Sequence, residues 1–140
     1  MTIQSAQQEL LSQLKLLYDE REANNITDWV MEHITGKKRI GRLLDKQQLL
    51  TGKQANRLAH ITQELATHKP VQYVLGEAWF AGMKFYVNEH TLIPRPETEE
   101  LVEWIVGAVW SLEFGVWSLL DIGTGSGCIP VALKKKLPGL

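Results

Sequence analysis

One segment near the end of the 140-residue chain constrains its fold most strongly. Residues 119 to 128 read Leu-Leu-Asp-Ile-Gly-Thr-Gly-Ser-Gly-Cys, so glycine recurs at every second position after an apolar run. The apolar run predicts a short buried strand from Val116 to Ile122, and a helix is expected from Gly127 to Leu137. A strand, a glycine-rich turn and a helix form the first part of a doubly wound α/β fold, in which ligands sit at the carboxyl ends of the strands.

The residue types in this turn indicate a cofactor pocket. Glycine has no side chain, so the backbone can bend tightly and approach a ligand closely. The N–H groups at the start of the following helix suit an anionic part of the ligand, and the carboxylate of Asp121 could meet a cationic part. The spacing alone also allows a strand-to-helix turn that binds nothing. We expect the cofactor-binding residues to be Asp121, Gly123, Thr124, Gly125, Ser126 and Gly127.

Two classes of cofactor compete for this turn. Dinucleotide sites favour Gly-x-Gly-x-x-Gly or Ala, which would place the last small residue at position 128, where the chain has Cys128. A nicotinamide-dependent enzyme is therefore an alternative. The spacing that ends at Gly127 instead resembles motif I of the class I S-adenosylmethionine-dependent methyltransferases.

The first seventy residues predict a small helical bundle. Apolar residues recur there at helical spacing, and about four or five helices are expected. Asp19 with Glu22 and Thr51 with Gln54 have the spacing of helix N-caps with their partners, and Gly36 would end the second helix. The apolar positions of the predicted helices are Leu10, Leu14 and Leu17, then Ile26, Trp29, Val30 and Ile34, and finally Ala55, Leu58, Ile61 and Leu65, in a helix closed by Pro70.

After Pro70 the pattern changes to that of a β-hairpin. Trp79 and Phe80 precede an Ala-Gly turn, and residues 83–87 then alternate between apolar and polar side chains. Two prolines at positions 94 and 96 keep the next segment extended, and a helix should follow as far as Trp110. We predict a helical domain over residues 1–70, a hairpin connector over 71–94 and the start of an α/β domain over 95–140.

Composition narrows the classes of function. Fifteen basic and sixteen acidic residues give a formal charge of −1, which offers no global attraction for nucleic acid or a membrane surface. A single cysteine excludes an internal disulfide and fits a reducing compartment. No apolar run approaches the roughly 18 residues of a membrane span, and the first residues do not resemble a signal peptide. We expect a cytoplasmic protein, without a metal site because the four histidines lack ligand spacing.

A second motif makes the resemblance specific. Leu92 to Glu99 reads Leu-Ile-Pro-Arg-Pro-Glu-Thr-Glu, ahead of the glycine-rich segment, and Gln72 to Gly76 reads Gln-Tyr-Val-Leu-Gly. Together these motifs resemble the N(5)-glutamine methyltransferases of peptide chain release factors, the HemK/PrmC family. The resemblance covers the whole chain and implies a helical bundle joined by a hairpin to a class I methyltransferase domain.

The resemblance also implies an activity and its residues. The family transfers a methyl group from S-adenosylmethionine to the side-chain amide nitrogen of the glutamine in a Gly-Gly-Gln motif of release factors. Asp121 would stand near the cofactor's ammonium group, Gly123 to Gly127 would line its methionine and ribose end, and the bundle would recognise the release factor. A segment expected to pass beside the cofactor comprises Arg95, Pro96, Glu97, Thr98 and Glu99.

One departure from the family pattern is large. The family's substrate-gripping motif, Asn-Pro-Pro-Tyr, does not occur in the chain, so no catalytic residue is assigned. The second strand of the expected sheet is also missing. We therefore expect a truncated portion of a longer enzyme that is inactive alone. A different class of protein, a non-catalytic helical module that binds other proteins, is the remaining alternative.

Overall fold

The computed structural model describes residues 1–110 and 118–139. The chain divides into two compact units, residues 1–75 and residues 76–140. The first unit is helical, as predicted. Its helices are α1 (Ile3–Leu14), α2 (Glu20–Thr35), α3 (Arg39–Leu44), α4 (Gly52–Leu65) and α5 (Val71–Leu75).

Short polar side chains define where the helices of the first unit begin. Asp19 Oδ1 accepts a hydrogen bond from the backbone N–H of Glu22 at 2.9 Å, which caps α2. Thr51 and Gln54 form a reciprocal capping box at the start of α4. At the other end of α2, Gly36 has a left-handed φ of 68°, which favours glycine. All three predicted helix boundaries are confirmed.

The core of the first unit lies between the apolar stripes of its helices. α1 packs against α2, and α2 packs against α4 and α5. Burial of these stripes from water is the main favourable contribution to the stability of the bundle. The buried side chains are Ile3, Ala6, Leu10, Leu14, Ala23, Ile26, Val30, Met31, Ile34, Leu58, Ile61, Leu65, Val71 and Leu75.

Two helix ends differ from the prediction. α1 ends at Leu14, so Leu17 lies beyond it and is exposed. α4 ends at Leu65, before Pro70 is reached, because the chain tightens into a turn in which the His68 N–H donates to the carbonyl of Leu65 at 3.0 Å. His68 then has a left-handed φ of 61°, a conformation that cannot continue a helix.

The second unit begins with the predicted hairpin. β1 (Glu77–Phe80) pairs antiparallel with β2 (Met83–Tyr86). The two turn residues, Ala81 and Gly82, have φ values of 47° and 70°. Positive φ at both central residues is the requirement of a type I′ turn, whose twist matches that of the two strands.

Two helices pack with this hairpin. α6 (Pro96–Trp110) and α7 (Cys128–Lys136) lie against each other, and Lys136 Nζ is 2.6 Å from Glu103 Oε1 across them. The three lysines that end α7 suit the negative end of its helix dipole. The two helices and the hairpin share one apolar core, whose buried side chains are Phe80, Phe85, Val102, Cys128, Ala132 and Leu133.

The predicted strand from Val116 to Ile122 is not formed by the residues described. Residues 118–121 have no regular secondary structure, and Ile122 lies in a turn. Residues 116 and 117 lie outside the described part. Phe114 and Gly115, where the sequence predicts a break after the preceding helix, lie outside it as well. A strand needs a neighbour to pair its N–H and C=O groups. Within the described residues the only sheet is β1 with β2, so this part of the chain is mainly helical with one small antiparallel sheet.

Candidate functional site

The glycine-rich segment forms a tight turn that leads into α7. Gly123, Gly125 and Gly127 all have left-handed φ values, of 77°, 57° and 75°. A Cβ placed on Gly123 or Gly127 would meet no atom within 4 Å. The backbone conformation, rather than crowding by neighbours, therefore requires glycine here, and the space beside both residues is open to a ligand.

The start of α7 adds hydrogen-bond donors to this turn. Gly127 is the N-cap residue, and no side chain hydrogen-bonds to the cap. Its own N–H donates to the carbonyl of Thr124 at 2.9 Å, which closes the turn against the helix. The first N–H groups of a helix have no partners within it and attract an anionic or electron-rich group.

Asp121 carries the polar group that most needs a partner in this region. Its Oδ2 atom is inaccessible to solvent and has no hydrogen-bond partner among the described residues. An unpaired buried carboxylate oxygen costs free energy that a cationic or N–H group would recover. The Asp121 side chain as a whole is partly exposed, so a ligand with a positively charged group could lie beside it, with polar groups beside the glycine turn.

The predicted segment from Arg95 to Glu99 forms the start of α6. Arg95 and Glu97 are exposed, Pro96 is the first helical residue, and the N–H of Thr98 donates to the carbonyl of Arg95 at 3.0 Å. Glu99 contacts the hairpin instead, where its Oε1 accepts from the N–H of Ala81 at 2.9 Å. The structure therefore joins this segment to the hairpin turn, and its position beside a cofactor stays a prediction.

Neither the Glu99–Ala81 hydrogen bond nor the unpartnered Oδ2 of Asp121 could be predicted from the sequence. Glu99 and Ala81 are 18 residues apart, and no local pattern links them. The unpartnered oxygen of Asp121 depends on the turn that surrounds it.

In the described ranges, 1–110 and 118–139, no group of three or more histidine, cysteine, aspartate or glutamate residues could hold a metal ion. The helices of those ranges are too short or too polar to cross a membrane.

Comparison with known proteins identifies the family. The sequence model of the PrmC N-terminal domain matches residues 5–76 of the chain, slightly more than half of its length. A release factor glutamine methyltransferase of Flavobacterium psychrophilum is 40% identical over 139 residues, which cover 99% of this chain and 49% of that protein. The match therefore continues through the hairpin and the glycine-rich turn.

Two other release factor glutamine methyltransferases are similar over shorter ranges. The enzyme of Streptococcus pneumoniae is 50% identical over 93 residues, which cover 66% of this chain and 32% of that protein. The enzyme of Chlorobaculum tepidum is 41% identical over 113 residues, which cover 79% and 38%. The chain spans about half the length, or less, of these curated relatives. The family-model match and the identity to these relatives show that the chain belongs to the HemK/PrmC family, as predicted. The chain corresponds to that family's N-terminal portion.

Proposed function

We propose that this chain is part of an enzyme that methylates the side-chain amide nitrogen of the glutamine in the Gly-Gly-Gln motif of peptide chain release factors. The relatives that it resembles are named release factor glutamine methyltransferases, which supports the reaction class. The observation that carries the proposal in the structure is the buried, unpartnered Oδ2 of Asp121 beside an open glycine turn.

The proposed methyl donor is S-adenosylmethionine, and its charge fits this site. Asp121 would hold the ammonium group, and the backbone from Gly123 to Gly127 would lie along the methionine and ribose. Thr124 and Ser126 add hydroxyl groups within the same turn. The segment from Arg95 to Glu99 would lie beside the cofactor. When bound, S-adenosylmethionine supplies an electrophilic methyl group on a sulfonium.

The contribution of these residues would be binding and orientation. An amide nitrogen is a poor nucleophile because its lone pair is delocalised into the carbonyl. Alignment of reacting groups in a site can contribute up to roughly 7–11 kcal/mol. Asp121 and the glycine turn would hold one reactant in a fixed orientation. The Asn-Pro-Pro-Tyr motif of the family, which would grip the glutamine, is not among the 140 residues, so we propose that this chain alone does not transfer a methyl group.

The helical unit would have a separate role. Residues 1–70 would recognise the release factor, residues 71–94 would connect, and residues 95–140 would begin a Rossmann-like methyltransferase domain. Because release factors act at the ribosome, the enzyme would work in the cytoplasm. Deletion of residues 1–70 from the full-length enzyme should raise KM for intact release factor far more than for a short glutamine peptide. An equal rise for both substrates would contradict this role.

The cofactor assignment is tested by calorimetric titration of the full-length enzyme. S-adenosylhomocysteine and NAD are compared as ligands, and only the first should bind tightly. Asp121→Asn should weaken its binding by about 10- to 150-fold, since one charge-assisted hydrogen bond contributes about 1.5–3 kcal/mol. Glu103→Gln is the matched control, because it neutralises an exposed carboxylate of the same unit that pairs with Lys136. Binding of NAD instead would favour the nicotinamide enzyme, and binding of neither would favour the non-catalytic module.

A further inference from the structure

Helix α3 buries a charged side chain and exposes its aliphatic side chains, which is the reverse of the usual distribution. Its charged residue Arg42 is buried, with 3% of its surface exposed. Its aliphatic residues point to solvent, with exposed fractions of 76% for Ile40, 65% for Leu43 and 81% for Leu44. Positions 40, 43 and 44 share one helix face. A contiguous exposed aliphatic face of this kind is uncommon and marks an interaction site.

The ion pair of Arg42 explains this orientation. Arg42 Nη2 lies 2.5 Å from Asp28 Oδ1 on α2, and Arg42 Nη1 donates to the carbonyl of Lys37 at 2.8 Å. A buried guanidinium without these partners would be strongly unfavourable. Holding Arg42 against α2 fixes the rotation of α3 about its axis. The leucines are therefore held on the outer side.

A groove of about 260 Å³ between α1 and α3 continues this face. Its lining combines apolar surface with amide and cationic groups. The apolar lining includes Leu11 and Leu43, the amides include Gln4 and Gln7, and the cationic side chains include Arg39 and Lys46.

The charge around the face is positive. Residues 37–48 contain Lys37, Lys38, Arg39, Arg42 and Lys46 but a single acidic residue, Asp45. Asp45 is already paired with Lys37. Arg39 is exposed and reaches Asp28 only at 3.9 Å, and Lys46 is exposed at the groove. A partner that covers the aliphatic face would therefore meet uncompensated positive charge.

We propose that this surface, formed by Ile40, Leu43, Leu44, Arg39 and Lys46, docks a protein segment in which apolar side chains are flanked by carboxylates. The aliphatic face would bury the apolar side chains, and the cationic rim would attract and orient the acidic ones. A phosphate backbone would gain nothing from three exposed aliphatic residues. A second copy of the chain would bring the same positive rim into a symmetric interface, where like charges repel. The inference does not rest on the proposed methyl transfer.

The test uses the 140-residue chain labelled with ¹⁵N and a synthetic probe. The probe is a short peptide of leucine and glutamate with leucines at helical spacing. Two control ligands are the same peptide with lysine in place of glutamate, and an oligouridine of similar length. Only the acidic peptide should shift amide resonances, and the shifts should be confined to α3 and the first half of α1.

Matched variants locate the site. Leu43→Ser should weaken binding of the acidic peptide by about tenfold or more, because a leucine side chain loses its buried contact. Leu16→Ser removes a leucine that is even more exposed, at 85% against 65% for Leu43, and lies away from the groove, so it should leave the affinity unchanged. Lys46→Glu should weaken binding several-fold and reduce its salt dependence, whereas Lys53→Glu on α4 should do neither. Leu43 and Lys46 are both exposed, so their substitution should not disrupt the fold. Circular dichroism of each variant checks this.

Each other result overturns the proposal. Absence of shifts at millimolar peptide would show that the face does not dock such a segment. Equal binding of the lysine peptide would show that the cationic rim has no role, and tighter binding of oligouridine would assign the surface to nucleic acid. Concentration-dependent shifts of α3 without any ligand would assign it to self-association.

Discussion

The carboxylate of Glu99 and the backbone N–H of Ala81 are joined by a hydrogen bond of 2.9 Å. Ala81 occupies a left-handed turn position, with a φ of 47°, where the hairpin reverses. Glu99 lies in the first turn of α6, within the segment predicted to adjoin the cofactor. The bond therefore couples the conformation of the hairpin turn to the start of that helix.

Removing this acceptor should loosen the hairpin turn. Glu99→Ala leaves the Ala81 N–H without its partner, at a cost of about 1–2 kcal/mol. Amide hydrogen exchange at Ala81 should accelerate by about tenfold. Glu97→Ala removes an exposed carboxylate from the same helical turn and should leave that exchange rate unchanged. Equal acceleration in both variants would show that the effect comes from the helix N-terminus rather than from the bond.

A buried hydroxyl in α2 should be dispensable. Thr27 is 2% exposed, and its Oγ1 has no hydrogen-bond partner within the described residues. Thr27→Val replaces the hydroxyl by a methyl group of similar size and keeps the β-branched shape, so the free energy of unfolding should rise by about 1 kcal/mol.

Urea denaturation compares this variant with Thr62→Val on α4. The Thr62 hydroxyl donates to the carbonyl of Leu58 at 2.8 Å, so its loss should be neutral or destabilising. A lower denaturation midpoint for Thr27→Val than for the unaltered chain would show that the Thr27 hydroxyl is bonded in solution.

The ion pair between Arg42 and Asp28 should contribute more to the free energy of unfolding than the more exposed pair between Lys37 and Asp45. Asp28→Ala leaves Arg42 buried without its carboxylate partner and should lower the free energy of unfolding by about 2–3 kcal/mol. Asp45→Ala breaks a more exposed pair with Lys37 and should cost at most about 1 kcal/mol. Urea denaturation measures both. Similar costs would mean that Arg42 finds water or another acceptor once Asp28 is removed.

Tyr18 should make the stability of the first unit decrease in alkaline solution. Burial, and secondarily the negative charge of Glu22, raise the pKa of the Tyr18 hydroxyl above its ordinary value near 10. The unfolded chain therefore ionises first, and the stabilisation is complete below about pH 10 and lost as pH rises through the folded pKa. The hydroxyl also donates to the carbonyl of Leu65 at 3.2 Å, a bond that ionisation removes.

The loss of stability is measured by urea denaturation at a series of alkaline pH values. Tyr18→Phe should reduce the decrease in stability that appears as pH rises above about 10. Tyr86→Phe changes an exposed tyrosine of the other unit and serves as the control. An unchanged decrease in Tyr18→Phe would place the responsible group elsewhere.

Local chemistry was enough to predict much of the first unit and the hairpin. Asp19, Gly36 and the Thr51–Gln54 pair act within a few residues of their own positions, so their roles can be predicted from spacing. The alternation across residues 83–87 likewise predicted which hairpin side chains are buried, such as Phe85. The same holds for the glycine turn, whose positive φ values depend on adjacent residues.

Other features depended on partners far along the chain. The strand predicted from Val116 to Ile122 fails over residues 118–122 because a strand needs pairing that local apolar character cannot supply. The orientation of α3 was not predictable from its own residues, since it depends on Asp28 in a different helix.

By itself, the sequence determined the helix caps, the hairpin, the glycine turn and the family, because each depends on short-range geometry or on a recognisable run of residues. Only the tertiary structure decided which polar groups are paired. Arg42 meets Asp28, Glu99 meets Ala81, and Asp121 Oδ2 meets no partner among the described residues. The reason is physical: burial makes an unpaired charge or hydrogen-bonding group costly, and burial is a property of the packed chain.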